Sequence, residues 1–135
     1  MTKLPPVNAH QTPLRALVVE DDMLIMLDIE EILKSIGIAD VSCSTTVESA
    51  MEFIKAARPD FALMDYRVGK ATTSELAMTL QALNVPFAFV TASILPEETL
   101  PKLVSQNLIM KPFSEEDIHR AVELLLQQGG NQSTV

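Results

Sequence analysis

The chain has 135 residues, 47% of them hydrophobic, and a formal net charge of -8. That length favours one domain with its own core, and the acidic balance argues against a nucleic-acid surface, which needs clustered Lys and Arg. No apolar run approaches the roughly 18 residues of a membrane span, and the N-terminus lacks a signal-peptide core.

The single Cys43 cannot close an internal disulfide and sits in the alternating stretch VSCS, which predicts a buried structural thiol. Together these features predict a soluble cytoplasmic domain. Residues 1–13 carry three prolines and no periodicity, and 129–135 (GGNQSTV) have no apolar pattern, so both are expected to be flexible tails around a domain at 14–128.

Between the tails, short apolar runs alternate with helix-period segments. The runs are Ala16–Val19, Val41–Ser44, Phe61–Met64, Phe87–Val90 and Leu108–Met110, each suited to a buried strand. After the first, Ile25, Ile29, Ile32, Leu33 and Ile36 share one helix face, and Gly37 is a natural stop. Val47, Ala50, Met51 and Ile54 form the apolar face of a second helix, which cannot continue through Pro59.

Thr45 with Glu48, Thr72 with Glu75, and Ser114 with Asp117 have capping-box spacing. A fourth helix is constrained by Pro96 and Pro101, and the last buries Ile118, Ala121, Val122 and Leu125. Five strands alternating with five helices predict an α/β fold with a parallel sheet.

Four of the strands end on polar residues. The first runs into Glu20-Asp21-Asp22, the third into Asp65, the fourth into Thr91 and the fifth into Lys111. In a parallel sheet these ends share the C-terminal edge, where open α/β folds bind ligands. Crowded carboxylates raise one another's pKa unless a cation intervenes, and Mg²⁺ suits oxygen donors. The set predicts phosphoryl chemistry, with one carboxylate as nucleophile, Lys111 as the phosphate contact and Thr91 as a hydroxyl donor. Taken singly each residue has a plainer reading: Asp65 as a turn or cap, Glu20 and Asp21 as caps of the first helix, Lys111 as a solvated loop charge. Their agreement at one edge favours a site. His10, in a tail, and His119, in a mixed helix, receive no catalytic role.

In order and spacing, LVVEDD, FALMD, FVTA and MKPF resemble the markers of the response-regulator receiver domain of two-component signalling, over about residues 14–127. The resemblance implies a doubly wound, flavodoxin-like five-stranded parallel sheet of order 2-1-3-4-5. It implies that Asp65 is the phosphoacceptor for a histidine kinase or phosphotransfer protein. Mg²⁺ would be held by Asp21, Glu20, Asp65 and the backbone carbonyl of Arg67, with Asp22 just past the ligand pair. Thr91 would be the switch hydroxyl, with Ala92 keeping its approach open, and Lys111, before a cis proline, would hold a phosphoryl oxygen.

The chain departs from the family pattern at several positions, among them Ala92 where a stand-alone subgroup has Gly. YRVGKATTSEL replaces the usual Met-Pro and Asp-Gly after the phosphoacceptor, and Leu108 replaces the aromatic ring that moves on activation. PFAFVTAS is similar to the Pro-Phe-x-Phe-Ala-Thr-Gly of a stand-alone subgroup. Arg67 and Ser93 would flank the path of an attacking water and tune the lifetime of the phosphorylated state.

The resulting expectation is a single-domain regulator rather than an enzyme, monomeric or weakly dimeric. It would bind an unidentified downstream protein through a face that includes Leu100, Leu103 and Val104, and neither nucleic acid nor membrane. The competing readings are a degenerate receiver acting without phosphate and a Mg²⁺-dependent aspartyl phosphohydrolase. The second would want a carboxylate where Arg67 stands. A flavin carrier shares the fold, but Glu20-Asp21-Asp22 would repel its phosphate.

Overall fold

The computed structural model describes residues 13–92 and 108–132, with backbone only for 129–132. The main sheet is built from β1 (Arg15–Val19), β2 (Asp40–Ser44), β3 (Phe61–Met64), β6 (Phe87–Thr91) and β7 (Leu108–Met110), all parallel, in the order β2-β1-β3-β6-β7. This is the expected 2-1-3-4-5 order. A short antiparallel pair, β4 (Arg67–Val68) and β5 (Ala71–Thr72), was not expected and lies between β3 and the third helix. The helices described are α1 (Met23–Ser35), α2 (Val47–Ala56), α3 (Ser74–Ala82) and α4 (Glu115–Gln132). The predicted helix between β6 and β7 falls outside the described residues, as do Ser93, Leu100, Leu103 and Val104. Among the described residues no helix is long and apolar enough to cross a membrane.

The inner strands β1, β3 and β6 are almost wholly apolar because they are covered on both faces, whereas the edge strand β2 (DVSCS) is mostly polar. Successive side chains alternate between faces. Ala16, Val18, Phe61, Leu63, Ala88, Val90 and Ile109 therefore pack with α1 and α4 in one cluster. Leu17, Val19, Ala62, Met64, Phe87 and Phe89 pack with α2 and α3 in the other. The predicted inner faces of the helices hold: Ile29, Ile32 and Leu33 of α1, Ala50 and Ile54 of α2, and Ile118, Ala121, Val122 and Leu125 of α4 are buried. Cys43 is only partly buried, because β2 is an edge strand, and burial still pushes its thiol pKa up.

Helix ends follow local chemistry. Asp22 Oδ1 caps α1, accepting the N–H groups of Leu24 and Ile25 at 3.0 and 3.3 Å. At the other end Ile38 N–H donates to Leu33 O and Gly37 N–H to Lys34 O, with Gly37 at φ 109°. That paired bonding needs a left-handed residue, and Gly37 supplies it as the sequence predicted. Ser114 and Asp117 form the predicted reciprocal box, with amide-to-side-chain bonds of 2.9 and 3.1 Å.

Two predicted boxes do not form. Thr46, not Thr45, caps α2 by accepting from Ser49 N–H at 3.1 Å. Thr72 is paired in β5 and its hydroxyl meets Ser74 Oγ. Neighbouring threonines offer the same chemistry, and the chain's entry angle selects between them. The backbone of α4 also continues helical to Gln132, past the start of the expected tail. Glycine in a helix costs only about 1 kcal/mol, and a packed helix propagates across it.

Two outcomes test these ends. Gly37→Ala meets no atom within 4 Å at its new Cβ, so its cost is conformational and amounts to about 1–2 kcal/mol in urea unfolding. The amide and hydroxyl of Ser114 hold the Asp117 carboxyl below its ordinary range. Its stabilisation is therefore complete above the unfolded carboxylate value and lost as pH falls through the lower folded value. Asp117→Asn flattens the acid limb of a melting-temperature profile and leaves the neutral limb parallel to wild type.

Candidate functional site

The register of the sheet assembles the site. Val19 of β1 lies opposite Met64 of β3, so the residues that follow, Glu20 and Asp65, emerge side by side. Each is tied to the ladder by one further bond, Glu20 N–H to Ser44 O at 3.0 Å and Asp65 N–H to Val19 O at 2.9 Å. Two strands over, Thr91 pairs with Met110, and Lys111 N–H donates to Thr91 O at 3.0 Å. The Lys111–Pro112 bond is cis, as expected.

Lys111 Nζ donates to Glu20 Oε1 and to Asp65 Oδ2, both at 2.8 Å. Carboxylate oxygens of Glu20, Asp21 and Asp65 all lie within 4.8 Å of one another. Glu20 is 2% exposed, and its second oxygen accepts the Asp22 N–H at 3.1 Å. Burial pushes the Glu20 carboxyl above its ordinary range, and the bonds from Lys111 and the Asp22 amide offset this only in part. Burial alone would lower the Lys111 pKa, yet bonds and charges from Asp65 and Glu20 outweigh it and the net shift is upward. Both shifts are upward but act oppositely on charge: burial disfavours the Glu20 anion, while two carboxylates favour the Lys111 cation.

With every group ionised, three carboxylates face one ammonium, leaving two negative charges uncompensated. A divalent cation closes that deficit, and the donors are the hard oxygens Mg²⁺ prefers. Glu20, Asp21 and Asp65 thus fit such an ion. Asp22 does not join them, because its side chain is committed to capping α1.

Thr91 is buried at the end of β6, on the strand between those carrying Asp65 and Lys111. Arg67 is exposed, with its guanidinium 5.7 Å from the centre of the Tyr66 ring, and its backbone N–H donates to Asp65 Oδ1 at 3.3 Å. Leu108 lies at the start of edge strand β7 and is 38% exposed. Ser93 lies outside the described residues.

Sequence reasoning missed two contributors in the loop after β3. Gly69 N–H donates to Asp21 Oδ2 at 2.8 Å, and Thr73 Oγ1 donates to Asp65 O at 2.8 Å. The signal for the first was present. Gly69-Lys70, with Gly69 at φ 63°, is a two-residue hairpin turn with glycine leading. Strands of two residues, however, carry no alternation to detect.

The response regulator receiver domain family pattern matches residues 16–123. The chain is 26% identical over 119 residues to the transcriptional regulatory protein PdtaR of Mycobacterium tuberculosis, covering 86% of this chain and 58% of that protein. It is 28% identical over 125 residues to the sensory transduction protein LytT of Bacillus cereus, covering 88% and 50%. It therefore spans about half the length of these curated relatives.

Among solved structures, the signal receiver domain of a modulated diguanylate cyclase from Desulfovibrio desulfuricans superposes with TM-score 0.78 at 26% identity, over 90% of this chain and all of that one. A CheY-like receiver domain protein from Methanospirillum hungatei reaches TM-score 0.82 at 21% identity, over 90% of this chain and 100% of the other, a likeness of fold. A family match that runs from β1 into α4, on a sheet whose register sets strand-end carboxylates against a lysine, makes this chain a member of the response regulator receiver domain family.

Proposed function

We propose that the chain is a phosphorylation-controlled signalling switch rather than an enzyme. Asp65 accepts a phosphoryl group from a histidine kinase or phosphotransfer protein, and the phosphorylated form changes which protein it binds. The observation that carries this reading is the Lys111 ammonium, held 2.8 Å from both Glu20 and Asp65. Such a cation offsets the carboxylate charge beside the nucleophile and stands ready for the charge that arrives with phosphate.

A carboxylate oxygen of Asp65 attacks phosphorus, an acyl phosphate bond forms, and the bond from phosphorus to the donor's imidazole nitrogen breaks. Lys111 then exchanges one carboxylate for a phosphoryl oxygen, and the Thr91 hydroxyl donates to another. Glu20, Asp21, Asp65 and the Arg67 carbonyl would hold Mg²⁺, which when bound neutralises the carboxylates and the phosphoryl oxygens together.

We place the functional unit at residues 14–128 and the protein in the cytoplasm. Its acidic balance favours protein partners over nucleic acid. Beside the acidic cluster the first turns of α1 expose Met23, Leu24 and Leu27. Leu108, aliphatic and exposed, favours a switch without the usual inward swing of a ring. A degenerate receiver that works without phosphate is the reading a negative result would leave.

Incubation with acetyl phosphate and Mg²⁺ adds one phosphoryl mass to the intact protein, and Asp65→Asn abolishes it. An unmodified wild-type chain under those conditions refutes the switch. Lys111→Met strands a buried carboxylate and costs about 3 kcal/mol, the low end for uncoupling a buried pair, because the Asp22 amide still serves the second oxygen of Glu20. Added Mg²⁺ then raises the melting temperature of this variant more than that of wild type.

A further inference from the structure

Thr73 uses its hydroxyl in an unusual direction. It stands at the N-terminal boundary of α3, fully buried, yet its side chain makes no bond to that helix. A threonine there ordinarily accepts an N–H from the first turn, a bond worth about 1 kcal/mol. Instead Thr73 Oγ1 turns back towards the sheet, donating to Asp65 O at 2.8 Å and lying 3.3 Å from Tyr66 O. Its own N–H donates to Tyr66 O at 2.8 Å.

These bonds close the hairpin. Arg67 pairs with Thr72 and Val68 with Ala71, so Thr73 falls opposite Tyr66, at the mouth of the loop. Inside that closed loop, two amides point at the acidic cluster: Arg67 N–H at Asp65 Oδ1 and Gly69 N–H at Asp21 Oδ2. The aim of both follows from the peptide planes after Asp65, which the Thr73 hydroxyl fixes at the Asp65 and Tyr66 carbonyls while the β4–β5 pairing fixes the rest.

We propose that Thr73 is a positioning residue for the acidic site. Its hydroxyl, bridging the carbonyls of Asp65 and Tyr66, orients the β4–β5 hairpin so that backbone amides hold the carboxylates of Asp65 and Asp21 in place. This deepens the reading of the site as a Mg²⁺ and phosphoryl site, and rests on it. The uncapped first turn of α3 is the local cost, of the kind expected where a site overrides helix preference.

Three variants separate the hydroxyl from the packing. Thr73→Ser keeps the donor and loses the methyl, Thr73→Ala loses both, and Thr73→Val loses the donor at nearly constant volume. All three lower the melting temperature, so stability alone decides nothing. In metal-free protein the Arg67 and Gly69 amide resonances are expected to shift in the Ala and Val variants and to stay near wild type in Ser. In Mg²⁺ titrations followed by the same spectra, Ala and Val weaken binding about tenfold, the scale on which outer hydrogen bonds tune a metal site, and Ser stays within about twofold. If Val does not fold, the Ser and Ala pair, equal in lost methyl, carries the comparison. Ser and Ala equally impaired, or Ala binding Mg²⁺ like wild type, overturns the positioning role. A wild-type chain with no response to Mg²⁺ overturns the reading of the site itself, whatever the amide shifts show.

Discussion

One ammonium shared by two carboxylates is the interaction on which the rest of this structure converges. Lys111 comes from the edge strand β7, Glu20 from β1 and Asp65 from β3 between them, so the contact ties the far side of the sheet to its centre. An ion pair at this depth repays desolvation only if its remaining polar atoms are also satisfied. Both oxygens of Glu20 have a partner, yet burial still outweighs them and raises its pKa. A cluster left two charges from neutrality suits a divalent cation.

The sheet exists to make that contact possible. The central strands β3 and β6, covered on both faces, bury every side chain until the chain leaves the sheet, and only then can a charge reach solvent. The burial of β3 is complete from Phe61 to Met64 and gives way at Asp65. Register does the rest, since a slip of one residue would carry Asp65 to the opposite face from Glu20. The loop after β3 adds a second layer of control. Its hairpin sends two backbone amides to the acidic side chains, and Thr73 closes it. Tyr66, edge-on to Phe89 at 5.7 Å, anchors the same loop in the apolar cluster beneath.

Much of this was legible in the residues. The five strands of the main sheet, the inner helix faces, Gly37 as a stop and the Ser114–Asp117 box all follow from periodicity and cap chemistry, which act within a few residues. The β4–β5 hairpin, the shift from Thr45 to Thr46 and the true partner of Thr73 were not legible. Each depends on where a distant segment lies, and adjacent threonines differ in nothing that a sequence pattern can weigh.

The sequence by itself determined that polar residues would terminate the buried strands, because an apolar run between helix-period segments has one burial-compatible form and the charge that ends it must lie at an edge. Only the tertiary structure decided which charges meet. Lys111 and Glu20 are 91 positions apart in the chain, and their 2.8 Å contact follows from strand order and register, set by packing on both faces of the sheet. It also decided the direction of Thr73. A hydroxyl at a helix start can turn forward or back, and the carbonyls that draw it back reach that place only when β3 and α3 have docked.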